Sequence, residues 1–130
     1  LCQAAIPHLI ESKGNVVNIA SNAGLMGQAY TVGYCASKAG LINMSKALAM
    51  EFVKTEIRIN CVAPAGTVTS LIAGVQFPEN VDGALLKRYQ GFRPMSQAED
   101  IVNVVAFLAS DEAKAVHGAV WEADQAVSAG

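Results

Sequence analysis

Three short apolar runs, separated by helix-length segments, constrain the fold more than anything else in this chain. Val16-Val17-Asn18-Ile19-Ala20-Ser21 lacks the polar alternation of a strand with one wet face, as a strand buried on both sides should. Ile57, Ile59, Cys61 and Val62 mark a second strand within 56–63, and Gly118-Ala119-Val120-Trp121-Glu122-Ala123 marks a third. Between the first two, a helix is predicted over about 32–55, with Leu41, Met44, Leu48 and Phe52 at helical spacing. A later helix, 97–110, repeats that spacing at Ile101, Val104, Val105 and Leu108. It opens on Ser96 with Glu99 three residues on, the pattern of a capping box. A helix tail over 1–13, ended by Gly14, precedes the first strand. Such alternation implies the α/β class, with a doubly wound parallel sheet and right-handed crossovers.

Composition agrees with a buried sheet. Of 130 residues, 52 % are apolar and only 15 % charged, richer in core than an average domain. The net charge of −2 comes without a basic cluster, so nucleic acid and acidic lipid are not expected as partners. No apolar run approaches the roughly 18 residues of a membrane span, and the first residues lack a signal-peptide pattern. Cys2, Cys35 and Cys61 are odd in number and show no metal-ligand spacing. They read as reduced thiols of a cytoplasmic protein without a metal site. Lys46, Lys54, Arg58, Lys87, Arg88 and Arg93 are scattered and read as solvated.

Chemistry concentrates in two places. In Tyr34-Cys35-Ala36-Ser37-Lys38 a phenol and an ammonium stand four residues apart, on one face of a helix. Ser21, thirteen residues before the tyrosine, ends the first strand. A strand-end hydroxyl facing a helix-borne phenol and ammonium can move a proton to or from an alcohol or carbonyl oxygen. A bare Tyr-x-x-x-Lys also arises as an amphipathic surface pair, and a lone strand-end serine commonly caps a loop, so context must decide. The second place is the turn Pro64-Ala65-Gly66-Thr67-Val68-Thr69, which stops the second strand. Such turns offer backbone N–H groups and threonine hydroxyls to a ligand. The irregular segment 71–93 follows, with a short helix over 81–89. Its Val75, Phe77, Leu85, Leu86, Tyr89 and Phe92 fit an apolar lid or simply core.

Four pieces in order resemble the short-chain dehydrogenase/reductase family across nearly the whole chain. They are Asn18-Ile19-Ala20-Ser21, Tyr34-Cys35-Ala36-Ser37-Lys38-Ala39, Arg58-Ile59-Asn60-Cys61-Val62-Ala63-Pro64 and Phe107-Leu108-Ala109-Ser110-Asp111. The resemblance implies a Rossmann-type sheet, of which about three strands are present where six or seven are usual. No glycine-rich phosphate loop occurs, so residues 1–130 are expected to be the C-terminal half of a single dinucleotide-binding oxidoreductase domain, without its N-terminal glycine-rich half.

The resemblance further implies NAD or NADP as cofactor, a secondary alcohol or ketone as substrate, and a homodimer or homotetramer packed through the long helix. Tyr34 would be the general acid/base. Lys38 would favour its phenolate and hold the nicotinamide ribose, and Ser21 would orient the substrate oxygen. Pro64, Ala65, Gly66, Thr67 and Thr69 would wall the nicotinamide, while Ser21, Asn22, Gln28 and Tyr34 would border the substrate. Ala65 replaces a usual glycine, and Asp124-Gln125-Ala126 stands where many members have Asp-Gly-Gly; both bear on turn geometry. Two rival functions remain. One is a non-catalytic paralogue or fragment acting in protein association. The other, an enoyl reductase, resembles a Tyr-x6-Lys pattern, which Thr31 breaks.

Overall fold

A computed structural model describes residues 1–129. Three parallel strands form one sheet in the order β1 (Asn15–Ile19), β2 (Arg58–Pro64), β3 (Val120–Ala123). Ile19 pairs with Val62, and Pro64 with Ala123. Parallel neighbours need long crossovers. Helix α2 (Val32–Glu51) makes the first, while α3 (Ser70–Ala73), α4 (Gly83–Lys87) and α5 (Ala98–Ala109) lie in the second. Helix α1 (Cys2–Ser12) leads into β1.

The middle strand explains the apolar runs. Six of the seven residues of β2 are buried, because helices cover both faces. Side chains alternate across a strand. Ile57, Ile59 and Cys61 meet Ile42 and Ala49 of α2, together with Val16 and Val120. Val62 meets Leu108 of α5 on the other face, together with Val17 and Val105. This is the expected α/β arrangement of doubly wound type with three strands.

Two polar residues share that buried strand, and their hydrogen bonds explain how. Asn60 donates from Nδ2 to Val116 O at 2.8 Å and accepts the Ala119 N–H at 3.0 Å. Arg58, expected in solvent, is instead buried, with its guanidinium donating to the carbonyls of Leu108, Ser110 and Ala113. It caps the end of α5 from inside the fold.

Element ends differ from the sequence expectation where backbone partners take over. Helix α2 stops at Glu51, and the next residues form a turn in which the Thr55 hydroxyl donates to Phe52 O. Ser96 does not cap α5, since its backbone is engaged with Gly66 and Val68. The cap lies one residue on, where Asp100 Oδ2 accepts the Gln97 N–H at 2.9 Å. At the end of α1 the left-handed residue is Lys13, at φ 54°, while Gly14 leaves room for Leu9. Gln125 and Ala126 take φ 54° and 69°, left-handed values that suit glycine. Asp124 holds this turn by accepting the Ala126 and Ser128 N–H groups.

Candidate functional site

Strand β1 delivers Ser21 to the carboxyl end of the sheet, where open α/β folds bind ligands. The Ala20 N–H still bonds to Val62 O, and past it the chain leaves the ladder in extended conformation. Ser21 Oγ accepts the Ala23 N–H at 3.2 Å and so caps a single 3-10 turn, Asn22–Gly24. That turn lies directly on α2. A Cβ on Gly24 would sit 2.7 Å from the Lys38 carbonyl carbon and 2.8 Å from the Ala39 nitrogen. Only glycine permits this approach, which fixes Ser21 relative to the helix carrying Tyr34 and Lys38. Gly24→Ala is therefore expected to destabilise the fold by about 1–2 kcal/mol, since backbone must shift to admit the methyl. Urea unfolding of both forms would measure it, and an unchanged midpoint would refute the close contact.

Tyr34 and Lys38 sit one turn apart near the start of α2. Lys38 Nζ donates to Ile19 O at 2.9 Å and lies 5.7 Å from the centre of the Tyr34 ring. This ties the ammonium to the strand end and sets it beside the phenol. Tyr34 is 41 % exposed, and its hydroxyl bonds to no other described residue. The group is free to meet a ligand.

A cavity of about 480 Å³ unites these residues, within the usual range for a small-molecule site. Ser21, Tyr34, Lys38, Pro64, Ala65, Thr67 and Thr69 line it. Of the expected site residues, Asn22, Gln28 and Gly66 are not in the lining. Asn22 is buried beneath Ser21, where its Oδ1 accepts the Gln28 amide at 3.1 Å. Its Nδ2 is the one buried side-chain nitrogen without a partner among the described residues. Gly66 faces the other way, where a Cβ would meet Met95 at 3.1 Å. The apolar wall comes from Leu71 and Ile72 on α3, and from Ile101, Val102 and Val105 on α5. The sequence marks Ile101 and Val105 only by their helical spacing, because the apolar stripe of a helix looks the same facing a sheet or a cavity. None of Val75, Phe77, Leu85, Leu86, Tyr89 and Phe92 lines the cavity, and Phe92 is fully exposed.

The hydroxyls of Ser21, Tyr34, Thr67 and Thr69 and the ammonium of Lys38 suit a ligand carrying ribose hydroxyls and an amide. The remaining polar groups have other work. Cys61 is fully buried, and burial pushes its thiol up, with a hydrogen bond from Ser45 and the charges of Lys46 and Lys38 acting against that. It is a core group, not a nucleophile. Among the described residues no three His, Cys, Asp or Glu side chains gather as metal ligands. No helix of the described chain is long and apolar enough to cross a membrane.

Comparison with known proteins agrees with this fold. A family model described as "Enoyl-(Acyl carrier protein) reductase" matches residues 1–128. The 2,5-dichloro-2,5-cyclohexadiene-1,4-diol dehydrogenase LinX of Sphingobium indicum is 41 % identical over 120 residues, 89 % of this chain and 46 % of that protein. The chain thus spans about half the length of the curated relatives it matches. Among solved structures, a 4-hydroxyisoleucine dehydrogenase complexed with NADH superposes with a TM-score of 0.79 at 32 % identity, covering 98 % of this chain and 53 % of that one. A short chain dehydrogenase from Mycobacterium paratuberculosis bound to NAD gives 0.87 at 29 % identity, covering 99 % and 51 %.

Proposed function

The chain belongs to the short-chain dehydrogenase/reductase family, and we propose that it carries the proton-transfer site of an NAD(P)-dependent oxidoreductase. The substrate is a secondary alcohol or the corresponding ketone. One observation carries the reading: a strand-end serine and a helix-borne tyrosine and lysine line one cavity together with Thr67 and Thr69.

A nicotinamide cofactor, when bound, supplies the acceptor or donor of hydride. Everything else falls to side chains. Ser21 Oγ donates to the substrate oxygen and holds it toward the phenol. As phenolate, the Tyr34 oxygen takes the hydroxyl proton of an alcohol; as phenol, it gives its proton to the oxygen of a ketone being reduced. Lys38, beside the ring, offsets the negative charge that the phenol oxygen gains. The N–H groups that Lys38 does not give to Ile19 O are available to ribose hydroxyls, as are the hydroxyls of Thr67 and Thr69. The wall of Leu71, Ile72, Ile101 and Val105 favours an apolar, low-charge substrate.

Both solved relatives named above were captured with NAD or NADH, so NAD is the first cofactor to test. The enoyl description of the family model fits this site less well. Thr31 holds the place of the tyrosine in the Tyr-x6-Lys pattern, and its hydroxyl is engaged with Gln28 O at 3.0 Å. The full-length protein should reduce NAD or NADP when given a panel of secondary alcohols and cyclic diols, followed by nicotinamide absorbance. Neither cofactor reacting with any alcohol or ketone, alongside reduction of an enoyl thioester, would replace this reading with the enoyl one.

The long helix α2 buries only Ile42, Ser45 and Ala49, and exposes Val32, Met44 and Met50 together with Ala36, Ala39 and Ala47. A second copy of the protein covering that face suits this composition. Sedimentation of the full-length protein at micromolar concentration should show a dimer or tetramer, and a monomer alone would refute it.

A further inference from the structure

Residues 68–80 are exposed without exception, so the first part of the second crossover has no core of its own. Two fastenings hold the crossover at its ends. Thr67 bridges Ser96, with the Ser96 N–H on Gly66 O and the Val68 N–H on Ser96 O. At Gly91, a Cβ would lie 2.7 Å from Val127 Cγ2, so the C-terminal turn presses on the chain there. Between these points lies α4, one short helix with no buried residue.

A third fastening occurs at α4 itself. Tyr30 Oη accepts the N–H of Asp82, the residue that caps α4, at 2.8 Å. Tyr89 Oη, just beyond α4, donates to Ala29 O at 3.1 Å. The two bonds run in opposite senses between consecutive residues of one loop and the two ends of one helix. Tyr30 adopts φ 67°, a conformation that bulky side chains rarely take and that persists only where surroundings impose it. The Tyr89 hydroxyl has to remain a donor. A tyrosine hydroxyl is already protonated at neutral pH, and burial, with smaller contributions from Cys35 and Tyr30, pushes its titration further up.

The loop receiving these bonds joins Ser21 to Tyr34, and Tyr30 stands four residues before the phenol. The segment being held carries Leu71 and Ile72, which line the same cavity as Ser21 and Tyr34. We propose that Tyr30 and Tyr89 are positioning residues, a pair of crossed hydroxyl bonds that latch the 70–92 segment to the Ser21–Tyr34 loop and so fix the substrate-side wall. Neither hydroxyl touches the reacting atoms. Their effect is on how often the wall is in place when substrate arrives. The catalytic part of this inference rests on the oxidoreductase reading above; the latch itself does not.

The test uses Tyr30→Phe and Tyr89→Phe in the full-length protein, each removing one hydroxyl and keeping the ring. Hydrogen exchange read by mass spectrometry should quicken about 2- to 10-fold at amides within 70–92, the range for loss of one ordinary hydrogen bond. Exchange in β2 and the core of α2 should not move. For the alcohol substrate, KM should rise about 2- to 10-fold while kcat stays within about twofold, because the proton-transfer groups are intact. Tyr34→Phe serves as the contrasting variant, lowering turnover by about 10²- to 10⁴-fold without quickening exchange at 70–92. Unchanged exchange in both latch variants would overturn the latch. Quickened exchange with an unmoved KM would overturn the positioning role. A parent protein that oxidises no alcohol would sink the oxidoreductase reading, yet the exchange data would still decide the latch.

Discussion

Tyr34→Phe is expected to lower turnover by about 10²- to 10⁴-fold, the usual consequence of deleting a general acid/base. The substitution keeps the ring beside which Lys38 lies, and Lys38 keeps its bond to Ile19 O, so the cavity retains its shape. Cofactor affinity should change little. Lys38→Ala differs in kind, for it removes a charge next to the phenol, a donor to the cofactor's ribose and the tether to β1 together. It should reduce turnover and weaken cofactor binding at once. Steady-state rates, with cofactor affinity measured separately by fluorescence titration, distinguish the two variants. Near-parental activity in Tyr34→Phe would make the central assignment wrong, whatever the fold. A protein serving only association would show no dehydrogenase rate for either substitution to alter.

Much of this architecture is legible in the sequence because strands of a sheet covered on both faces carry consecutive apolar residues, even where a buried polar side chain such as Asn60 interrupts them. Val16-Val17 and the β2 run betray themselves that way, and the helical spacing of Leu41 and Leu48 supplies the crossover. The Tyr34–Lys38 pair is legible for a local reason: residues four apart share one face of a helix, whatever surrounds it. Features that depend on a distant partner are not. Ser96 and Glu99 form a sound capping pattern, yet Gly66 and Val68 claim the Ser96 backbone and move the cap to Gln97. Tyr89 reads as an apolar lid or core residue, since nothing in its neighbourhood announces that its hydroxyl reaches Ala29. Leu71 and Ile72 line the cavity because a short helix turns them there, a matter of loop geometry that composition does not encode.

Arg58 is the sharpest such case, and its replacement should carry the largest cost in stability. It opens β2 between Ile57 and Ile59, a position where an arginine invites the reading of a strand end reaching for water. Its guanidinium instead donates to Leu108 O at 2.7 Å, Ser110 O at 2.9 Å and Ala113 O at 3.2 Å. The last carbonyls of a helix lack partners within it, and a cation there also meets the favourable end of the helix dipole. Among the described residues the one ion pair is Lys13 with Glu56, so these carbonyls, and no carboxylate, compensate the buried charge. Arg58→Met keeps the length and loses every donor, leaving the Leu108 carbonyl at the end of α5 without a partner and the Ser110 and Ala113 carbonyls with their backbone partners alone. Charge-assisted bonds of this kind are worth about 1.5–3 kcal/mol each and do not simply add, so a loss of about 3 kcal/mol is expected. Arg58→Lys should recover only part of it, because an ammonium is a point donor without the planar fork that reaches several carbonyls at once. Urea unfolding of the three forms measures the order Arg, Lys, Met. Arg58 lies at the opposite end of β2 from Pro64 and the cavity, so folded variants should retain their turnover. A Met variant as stable as the parent would mean that water replaces the guanidinium at the end of α5, and the interior cap would then be incidental.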